Sequence, residues 1–414
     1  MPTTESIKHQ LPVLTCHQSK EESFMDQKKA VIIGIGNCGS QIALVAEKKY
    51  PTLFDCVYIN TSATDLSMVN SETELKFKIG EDDVGGSAKN RAQMKEYLEE
   101  GFADIIGNEK FQGVLSTKQY CFIISSTAGG TGSGSAPIMM EFLKQMYPDT
   151  IFVLVAVLPA LSSSLMEQGN VDEYLKELYE LLPKDTTYMV YDNETVADLP
   201  VTKALEVVNE EIVEDLRVLT GVDSYPTQYE SIDDADMASI IDTPGRLMVI
   251  RIKKNLTAKV MEDADLDDMV IKAIKQSKHA EIDRNKQVTR WGIITYLTEP
   301  VNSLYCARLE KLQEYIGTPV ERFNHNAINP GREDQNFLYL IASGLSPIND
   351  RAIKIRERIE QLQAALAGDD AQSYVLAGDA TYAGIMARRH QQRHKGDGAE
   401  IDANAIFSKF KGKQ

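Results

Sequence analysis

The chain has 414 residues, 43% of them hydrophobic and 25% charged, which is enough apolar material for two or three cores and excludes one small domain. Its net charge of −17 indicates a body that repels nucleic acid and anionic membranes. No apolar run reaches the roughly 18 residues of a membrane span, and the polar start lacks a signal-peptide core. The five cysteines form no CxxC pair. We therefore expect a cytoplasmic protein with reduced thiols.

The first half of the chain alternates between apolar runs and helix-like stretches. Residues 1–27 are polar and lack hydrophobic periodicity, which predicts a flexible N-terminal arm. Continuous apolar runs, typical of strands buried on both faces, then begin at Lys29, Asp55, Tyr120 and Ile151, with helix-like stretches at 41–49, 89–101 and 137–146. We therefore expect an α/β fold, a doubly wound parallel sheet over residues 28–200.

The second half has a different texture. Apolar residues recur at three-to-four spacing from Leu205 to Leu219, which predicts a long central helix over 201–221, ended by Gly221. Apolar runs from Arg246, Arg290 and Asn336 then predict a second, smaller sheet, with helices at 267–279 and 302–316, in an α+β domain over 222–346. A helix over 349–366 follows, and little remains to be buried after Gly368, so 347–414 is predicted to be a C-terminal helix and tail.

The first glycine cluster is Gly34-Ile-Gly36-Asn-Cys-Gly39, between a predicted strand and a predicted helix. Glycines there let the backbone approach a phosphate, whose charge the N–H groups and the helix dipole stabilise. The pattern matches the dinucleotide fingerprint GxGxxG, so a nicotinamide-dependent oxidoreductase is one alternative, and a tight turn without a ligand is another. The acid expected about 20 residues later is absent, because Asn60 ends the second strand.

The second cluster, Ser125-Ser-Thr-Ala128-Gly-Gly-Thr-Gly-Ser-Gly134, also lies between a buried strand and a helix. Two phosphate cradles on neighbouring strands indicate a polyphosphate ligand. The run contains no lysine and is therefore not a P-loop, so backbone N–H groups, hydroxyls and a divalent cation such as Mg²⁺ must meet the charge.

These two loops resemble those of the tubulin/FtsZ superfamily of GTP-dependent filament proteins. The run 128–134 is similar to the family's GGGTG[ST]G loop, with Ala128 in place of its first glycine, and 36–41 is similar to the GQCGNQ of tubulins. The resemblance spans roughly residues 28–366 and implies a GTP-binding domain over 28–200. The nucleotide contacts that it implies are Gly36, Asn37, Cys38 and Gln41; Asn60; Gly86 and Ser87 near the γ-phosphate; Ala128, Gly129, Gly130, Thr131, Gly132 and Ser133; Glu167 at the ribose; and Asn193 and Asn209 at the base.

The stretch from Ser231 to Asp236 resembles the family's co-catalytic loop NxDxxD, with serine in place of the asparagine. The resemblance implies that Asp233 and Asp236 of one subunit reach the GTP of its neighbour. An ionised carboxylate suits this role because it orients water for in-line attack and accepts a proton. The adjacent Asp234 leaves the register open, and a helix start capped by Asp233 is the alternative.

The tail over 388–414 is basic, with seven basic and three acidic residues and a net charge of +4. Such an arm suits an acidic protein or DNA phosphates, although a merely solvated tail has the same composition. Within the superfamily the chain most resembles the TubZ-type proteins of plasmids and phages, which implies a head-to-tail homopolymer and a DNA-binding adaptor held through the tail, with no membrane partner and no protein metal site. The alternatives are a phage-spindle or cell-division homologue and a filament protein that hydrolyses GTP slowly or not at all.

Overall fold

The computed structural model describes residues 28–80, 89–221, 231–253, 256, 266–298, 309–328, 331–368 and 403–411. The predicted N-terminal arm over 1–27 and most of the predicted tail lie outside these ranges, as do Gly86 and Ser87. In the described ranges, no helix is both long enough and apolar enough to cross a membrane.

A ten-stranded sheet runs through the molecule. Its strands are β1 Ala30–Ile35, β2 Phe54–Asn60, β3 Lys76–Lys78, β4 Tyr120–Ser126, β5 Ile151–Leu158, β6 Thr187–Asp192, β7 Gly245–Ile252, β8 Arg290–Leu297, β9 Glu321–Ile328 and β10 Phe337–Leu345, in the spatial order β3-β2-β1-β4-β5-β6-β7-β10-β8-β9. Strands β1 to β6 are parallel to their neighbours, whereas β10 is antiparallel to both β7 and β8. The predicted doubly wound parallel half is confirmed.

The second half does not form a sheet of its own, as its sequence predicted. Strand β7 pairs in parallel with β6 through Thr187 opposite Gly245 and Tyr188 opposite Arg246. This short junction joins both halves into one continuous sheet. The prediction failed because β6 itself was not recognised, and without it nothing links the two sets of strands.

Helices cover the sheet on both sides. They are α1 Gly36–Lys49, α2 Ala63–Met68, α3 Arg91–Ile106, α4 Glu109–Leu115, α5 Thr131–Met146, α6 Leu165–Lys176, α7 Val201–Thr220, α8 Asp234–Ile241, α9 Leu266–Gln276, α10 Glu310–Ile316, α11 Asn349–Gly368 and α12 Ala403–Lys411. Alternate residues of β1 enter different cores, because side chains alternate across a strand. Ile33 packs in the core that includes residues of α3, α5 and α6, whereas Ile32 packs in the core that includes residues of α1, α7 and α8.

The tail departs from its prediction at α12. Ile406, Phe407 and Phe410 of this helix are only 6%, 3% and 3% exposed and belong to the core beside α3 and α5. The expectation that little is left to bury after residue 368 is therefore wrong. These three residues lie one and four positions apart, which places them on one face of a helix, and a window that short is easily overlooked in a basic segment.

The predicted central helix is confirmed as α7, and it connects the two halves through buried polar contacts. The fully buried Asp215 carboxylate accepts a hydrogen bond from Tyr191 of β6 at 2.8 Å and another from Arg251 of β7 at 2.6 Å. His279 Nε2 lies 3.1 Å from the same carboxylate. One helix side chain thus holds strands from both halves of the sheet.

Glu214, on the same helix, gives a pH-dependent contribution to stability. Burial raises the pKa of its carboxyl. The contacts with Lys49, the last residue of α1, and with Tyr50, which follows it, outweigh burial and lower this pKa from 4.5 to about 2. Since the pKa is lower in the folded state, the contribution is present above about pH 4.5 and is lost as the pH falls towards 2.

Glu214→Gln should therefore reduce the free energy of unfolding by about 2 kcal/mol at pH 7 and far less near pH 2. Urea unfolding at both pH values measures this; the exposed Glu210→Gln on the same helix is the control, and an equal loss at both pH values would contradict it.

Candidate functional site

The two glycine-rich loops meet at the carboxyl edge of the sheet. Strands β1 and β4 are parallel neighbours with Ile35 opposite Ser125, so the loops that follow them start side by side. Gly36 has a φ of +70°, and a Cβ there would lie 3.2 Å from the backbone nitrogen of Gly132. This position requires glycine both for its left-handed backbone and for the close approach of the second loop.

The glycines of the second loop differ in what surrounds them. A Cβ on Gly132 would lie 3.0 Å from the carbonyl oxygen of Ile35 and 3.3 Å from that of Ser126, so this glycine is required by the packing of the protein itself. A Cβ on Gly129 would meet no atom within 4 Å, and its backbone is not left-handed. Gly129 is therefore the position where a side chain would extend into open space beside the loop.

The end of β2 contributes a third group to the same edge. Thr61 Oγ1 lies 2.8 Å from Thr131 Oγ1, and both hydroxyls are buried. Asn60 is buried, its Oδ1 accepts from the Ser62 amide at 3.3 Å, and its Nδ2 has no hydrogen-bond partner among the described residues. A buried, unpaired amide donor is costly and points to a missing acceptor such as a ligand oxygen. Thr61 was not among the predicted contacts, although it directly follows Asn60 in the loop that carried the resemblance.

A side-chain bridge connects the second loop to the segment that begins at Lys89. Asn170 of α6 donates from Nδ2 to the carbonyl oxygens of Ala128, at 2.9 Å, and Lys89, at 3.0 Å. Lys89 has a left-handed backbone, with a φ of 64°, an uncommon conformation for a residue that is not glycine. The bridge holds two loops that the sequence assigned separately to the phosphates.

Glu167 lies beside this bridge at the start of α6. Its carboxylate accepts from Lys89 Nζ at 2.9 Å and forms a capping box with Ser164. Burial raises the pKa of the carboxyl, but the hydrogen bonds from Lys89 and Ser164 outweigh this and hold it below its usual range. The residue is near the predicted site and ionised, and its contact with a ribose stays a prediction.

The remaining predicted contacts occupy separate elements. Asn37 and Gln41 are exposed in the first turns of α1, with Cys38 partly buried between them. Asn193 starts the 3₁₀ turn after β6, and within the described ranges its buried Oδ1 lacks a hydrogen-bond partner. Asn209 lies partly buried in the middle of α7. Their roles at the base stay predictions.

The acidic turn lies near the amino ends of β1 and β4, whereas the loops follow their carboxyl ends. Asp234 accepts from Lys29 Nζ at 3.0 Å, and Lys29 immediately precedes β1, whose last residue is followed by Gly36. Burial together with the Asp234 charge raises the pKa of Tyr120, the first residue of β4. The six residues of β1 separate Lys29 from Gly36, so the acids lie about 20 Å from the loops of their own chain.

Asp233 and Asp236 also form the cap of α8. Asp233 Oδ1 accepts from the Asp236 amide at 2.8 Å, and Asp236 Oδ2 accepts from the Asp233 amide at 3.2 Å. The capping alternative is therefore confirmed as a structural role. Asp233 remains exposed and Asp236 partly exposed, so capping does not remove their carboxylates from the surface.

Glycine-rich loops between parallel strands and helices, beside buried hydroxyls and an unpaired amide donor, define an α/β protein that binds nucleotide phosphates. Residues 29–199 match the GTPase domain of the Tubulin/FtsZ family. These residues are thus a GTPase domain of the Tubulin/FtsZ type. A guanine nucleotide therefore replaces the nicotinamide alternative that the first loop alone had left open.

Individual proteins resemble the chain in sequence or in fold. The chain is 25% identical over 309 residues to a tubulin-like protein CetZ of Pyrococcus furiosus, which covers 71% of this chain and 80% of that protein. Its fold is similar to that of TubZ from Clostridium botulinum phage c-st, with a TM-score of 0.65, 20% identity and coverage of 82% and 100% of the two chains. CetZ2 from Haloferax volcanii, solved as a GTPγS-bound protofilament, has a TM-score of 0.64 at 17% identity over 81% of this chain and 99% of its own.

Proposed function

We propose that this chain is a polymerising GTPase whose subunits stack head to tail, each GTP site being completed by Asp233 and Asp236 of the next subunit. The observation that carries the proposal is the placement of the acids at the sheet edge opposite Gly36, about 20 Å away along β1. They are too far from their own loops to act there. Stacking brings the surface of one subunit that carries Asp233 and Asp236 onto the surface of the next subunit that carries the glycine-rich loops.

The loop edge supplies phosphate binding without a lysine. Backbone N–H groups of the second loop and the N-terminus of α5, which starts at Thr131, provide positive electrostatic potential. The described residues contain no group of three or more His, Cys, Asp or Glu side chains suited to a metal ion. A Mg²⁺ ion would therefore be held by phosphate oxygens, water and hydroxyls such as those of Thr131 and Thr61, and would neutralise phosphate charge when bound.

The acids supply the group that the loops lack. An exposed carboxylate at the contact accepts hydrogen bonds from the attacking water, orients it towards the γ-phosphate and takes its proton. Because the two surfaces in contact differ, the association is heterologous and does not close, so it produces an open filament. The protofilament in which CetZ2 from Haloferax volcanii was solved supports this arrangement.

For the cellular role we propose segregation of plasmid or phage DNA, supported by the fold likeness to the phage c-st TubZ. The CetZ relatives favour a second candidate function, a CetZ-like filament that does not segregate DNA.

Two features of the tail weaken the case for a basic adaptor arm. Lys409 pairs with Glu141 of α5 at 3.0 Å, and residues 388–402 alone carry four basic and three acidic residues. Loss of the resident plasmid or phage genome in cells that produce only a hydrolysis-deficient variant would support segregation; its normal inheritance would contradict it.

Polymerisation is tested by the dependence of GTP turnover on protein concentration. Turnover per subunit should be very low when subunits are dilute and rise steeply above a threshold, because each active site needs two subunits. Sedimentation with a slowly hydrolysed GTP analogue should show polymer above the same threshold, and GDP is the control. A constant turnover per subunit at all concentrations would mean that the site is complete within one subunit.

A further inference from the structure

Helix α12 occupies a groove between α3 and α5, and the contact is aromatic at its centre. The Phe407 ring centroid lies 5.2 Å from that of Phe142 on α5 and 6.2 Å from that of Phe102 on α3. Between the end of α11 and the start of α12 the sequence has 34 residues. Fully extended, such a segment spans up to ~110 Å. The helix is therefore held in its groove by its own contacts and not by a short connection.

Two buried charged groups of the groove have partners on α12. Lys95 Nζ donates to the carbonyl oxygen of Phe410 at 2.7 Å, in the last turn of the helix, where carbonyls lack intrahelical partners and a cation is favoured. The Glu141 carboxylate accepts from Lys409 Nζ at 3.0 Å. Departure of α12 would remove one partner from each buried charge, which is unfavourable. The groove is thus matched to this helix in polarity as well as in shape.

Lys95 also contacts charged side chains in the interior of the protein. Lys95 Nζ also donates to Glu177 Oε1 at 2.5 Å, and the second oxygen of Glu177 accepts from the Arg91 guanidinium. All three side chains are buried. Arg91 and Lys95 lie four residues apart on α3 and bind the same carboxylate. A shift of Glu177 therefore changes the contacts of both residues.

Arg91 connects this charged group to the phosphate loops. Its Nη1 donates to the backbone oxygen of Asn170 at 2.9 Å. The side chain of Asn170 is the bridge to the carbonyls of Ala128 and Lys89. A continuous series of buried hydrogen bonds therefore runs from the second phosphate loop to the last turn of α12.

We propose that α12 is a latch whose docking in the α3–α5 groove of its own subunit is coupled to nucleotide in the phosphate loops. Nucleotide that orders the two loops places the carbonyls of Ala128 and Lys89 to accept from Asn170 Nδ2, and through Arg91 and Glu177 this fixes Lys95 in position for the Phe410 carbonyl. Nucleotide therefore favours the docked helix, and by linkage the docked helix favours bound nucleotide to the same degree. The proposal uses the GTP site but does not depend on polymerisation.

Hydrogen exchange in the full chain tests the latch without any substitution. At protein concentrations below the assembly threshold, a saturating, slowly hydrolysed GTP analogue should slow exchange of the 403–411 amides about 5-fold or more, a typical size for coupling between sites. Exchange should not depend on protein concentration, because the helix docks on its own subunit. Unchanged exchange with nucleotide, or protection that rises with protein concentration, would overturn the proposal.

Two variants and a control complete the thermodynamic cycle. Phe407→Ala should release the helix and weaken binding of the analogue by the same factor that nucleotide slows exchange in the wild type. Lys95→Met should leave exchange of 403–411 insensitive to nucleotide. Ser408→Ala, at an exposed position of the same helix, should change neither measurement. Normal analogue affinity in a Phe407→Ala protein whose helix exchanges freely would overturn the coupling. Neither measurement requires filaments, so concentration-dependent turnover with unchanged exchange would leave the proposed function intact and remove only the latch.

Discussion

Replacing Gly129 with aspartate should weaken GTP binding by about 100-fold or more, whereas asparagine at the same position should have a much smaller effect. A Cβ at Gly129 meets no atom within 4 Å and the backbone is not left-handed, so either side chain fits the protein itself. Two unit charges 4 Å apart repel by about 4 kcal/mol at an effective dielectric constant of 20. A carboxylate in this loop would therefore oppose the phosphates strongly, while the amide of equal size would not.

Equilibrium titration with a fluorescent GTP analogue measures the difference, and thermal unfolding without nucleotide shows whether both variants are folded. Equal affinity for the Asp and Asn variants would mean that no phosphate lies near residue 129. Gly132→Val is a poorer test. A Cβ there presses on backbone oxygens of β1 and β4, so a loss of binding would not separate phosphate exclusion from damage to the fold.

The parallel half of the sheet could be predicted from the sequence because its strands are buried on both faces. Burial on both faces produces continuous apolar runs, and such runs at β1, β2, β4 and β5 are distinct from the helical stretches between them. The two glycine-rich loops could be located for a related reason, since glycines between a buried strand and a helix mark a tight turn or a close approach of the backbone to a phosphate. Their phosphate contacts stay predictions.

Strand β9 and helix α12 show where prediction from sequence stops. Strand β9 reads Glu-Arg-Phe-Asn-His-Asn-Ala-Ile and lies at the edge of the sheet, where pairing with β8 alone determines its conformation. Helix α12 has only three large apolar positions as its sequence signal, and its burial becomes evident from the groove that it fills. Local pattern reflects burial and not the identity of the partner, so both elements depend on contacts with distant parts of the chain.

The same limit applies within the site. The Thr61 and Thr131 hydroxyls lie 2.8 Å apart although 70 residues separate them, and Asn170 links two loops to which it is not adjacent in sequence. Resemblance placed single residues in order along the chain. It did not show which of them touch, and the series of hydrogen bonds from Asn170 to α12 could not be derived from motif order.

Asp236→Asn should slow GTP hydrolysis by about 100-fold or more while leaving GTP affinity nearly unchanged, since lost general base catalysis typically costs 10²-fold to 10⁴-fold. Asparagine keeps an oxygen that can accept from the Asp233 amide, so the cap of α8 is retained and the carboxylate alone is removed. Asp234→Asn is the matched control, because the pair that this acid forms with Lys29 is exposed. A rate measurement above the assembly threshold, with analogue affinity measured in parallel, decides the register of the acidic turn. Loss of activity in the Asp234 variant alone would place the base at that residue instead.

Mixing two inactive proteins tests whether Asp236 acts on a neighbouring subunit. The Asp236→Asn protein has an intact nucleotide site but lacks the carboxylate, whereas Gly129→Asp has the carboxylate but does not hold GTP. In a mixed filament, GTP bound to the first protein faces the acids of the second, so turnover should partly recover even though neither protein is active alone. The double variant Gly129→Asp/Asp236→Asn, mixed with Asp236→Asn, should give no recovery, because no subunit then offers the carboxylate. Recovery that is absent from the first mixture although both proteins sediment together, or wild-type hydrolysis by Asp236→Asn alone, would mean that the acid edge at α8 does not complete the site at β1 and β4.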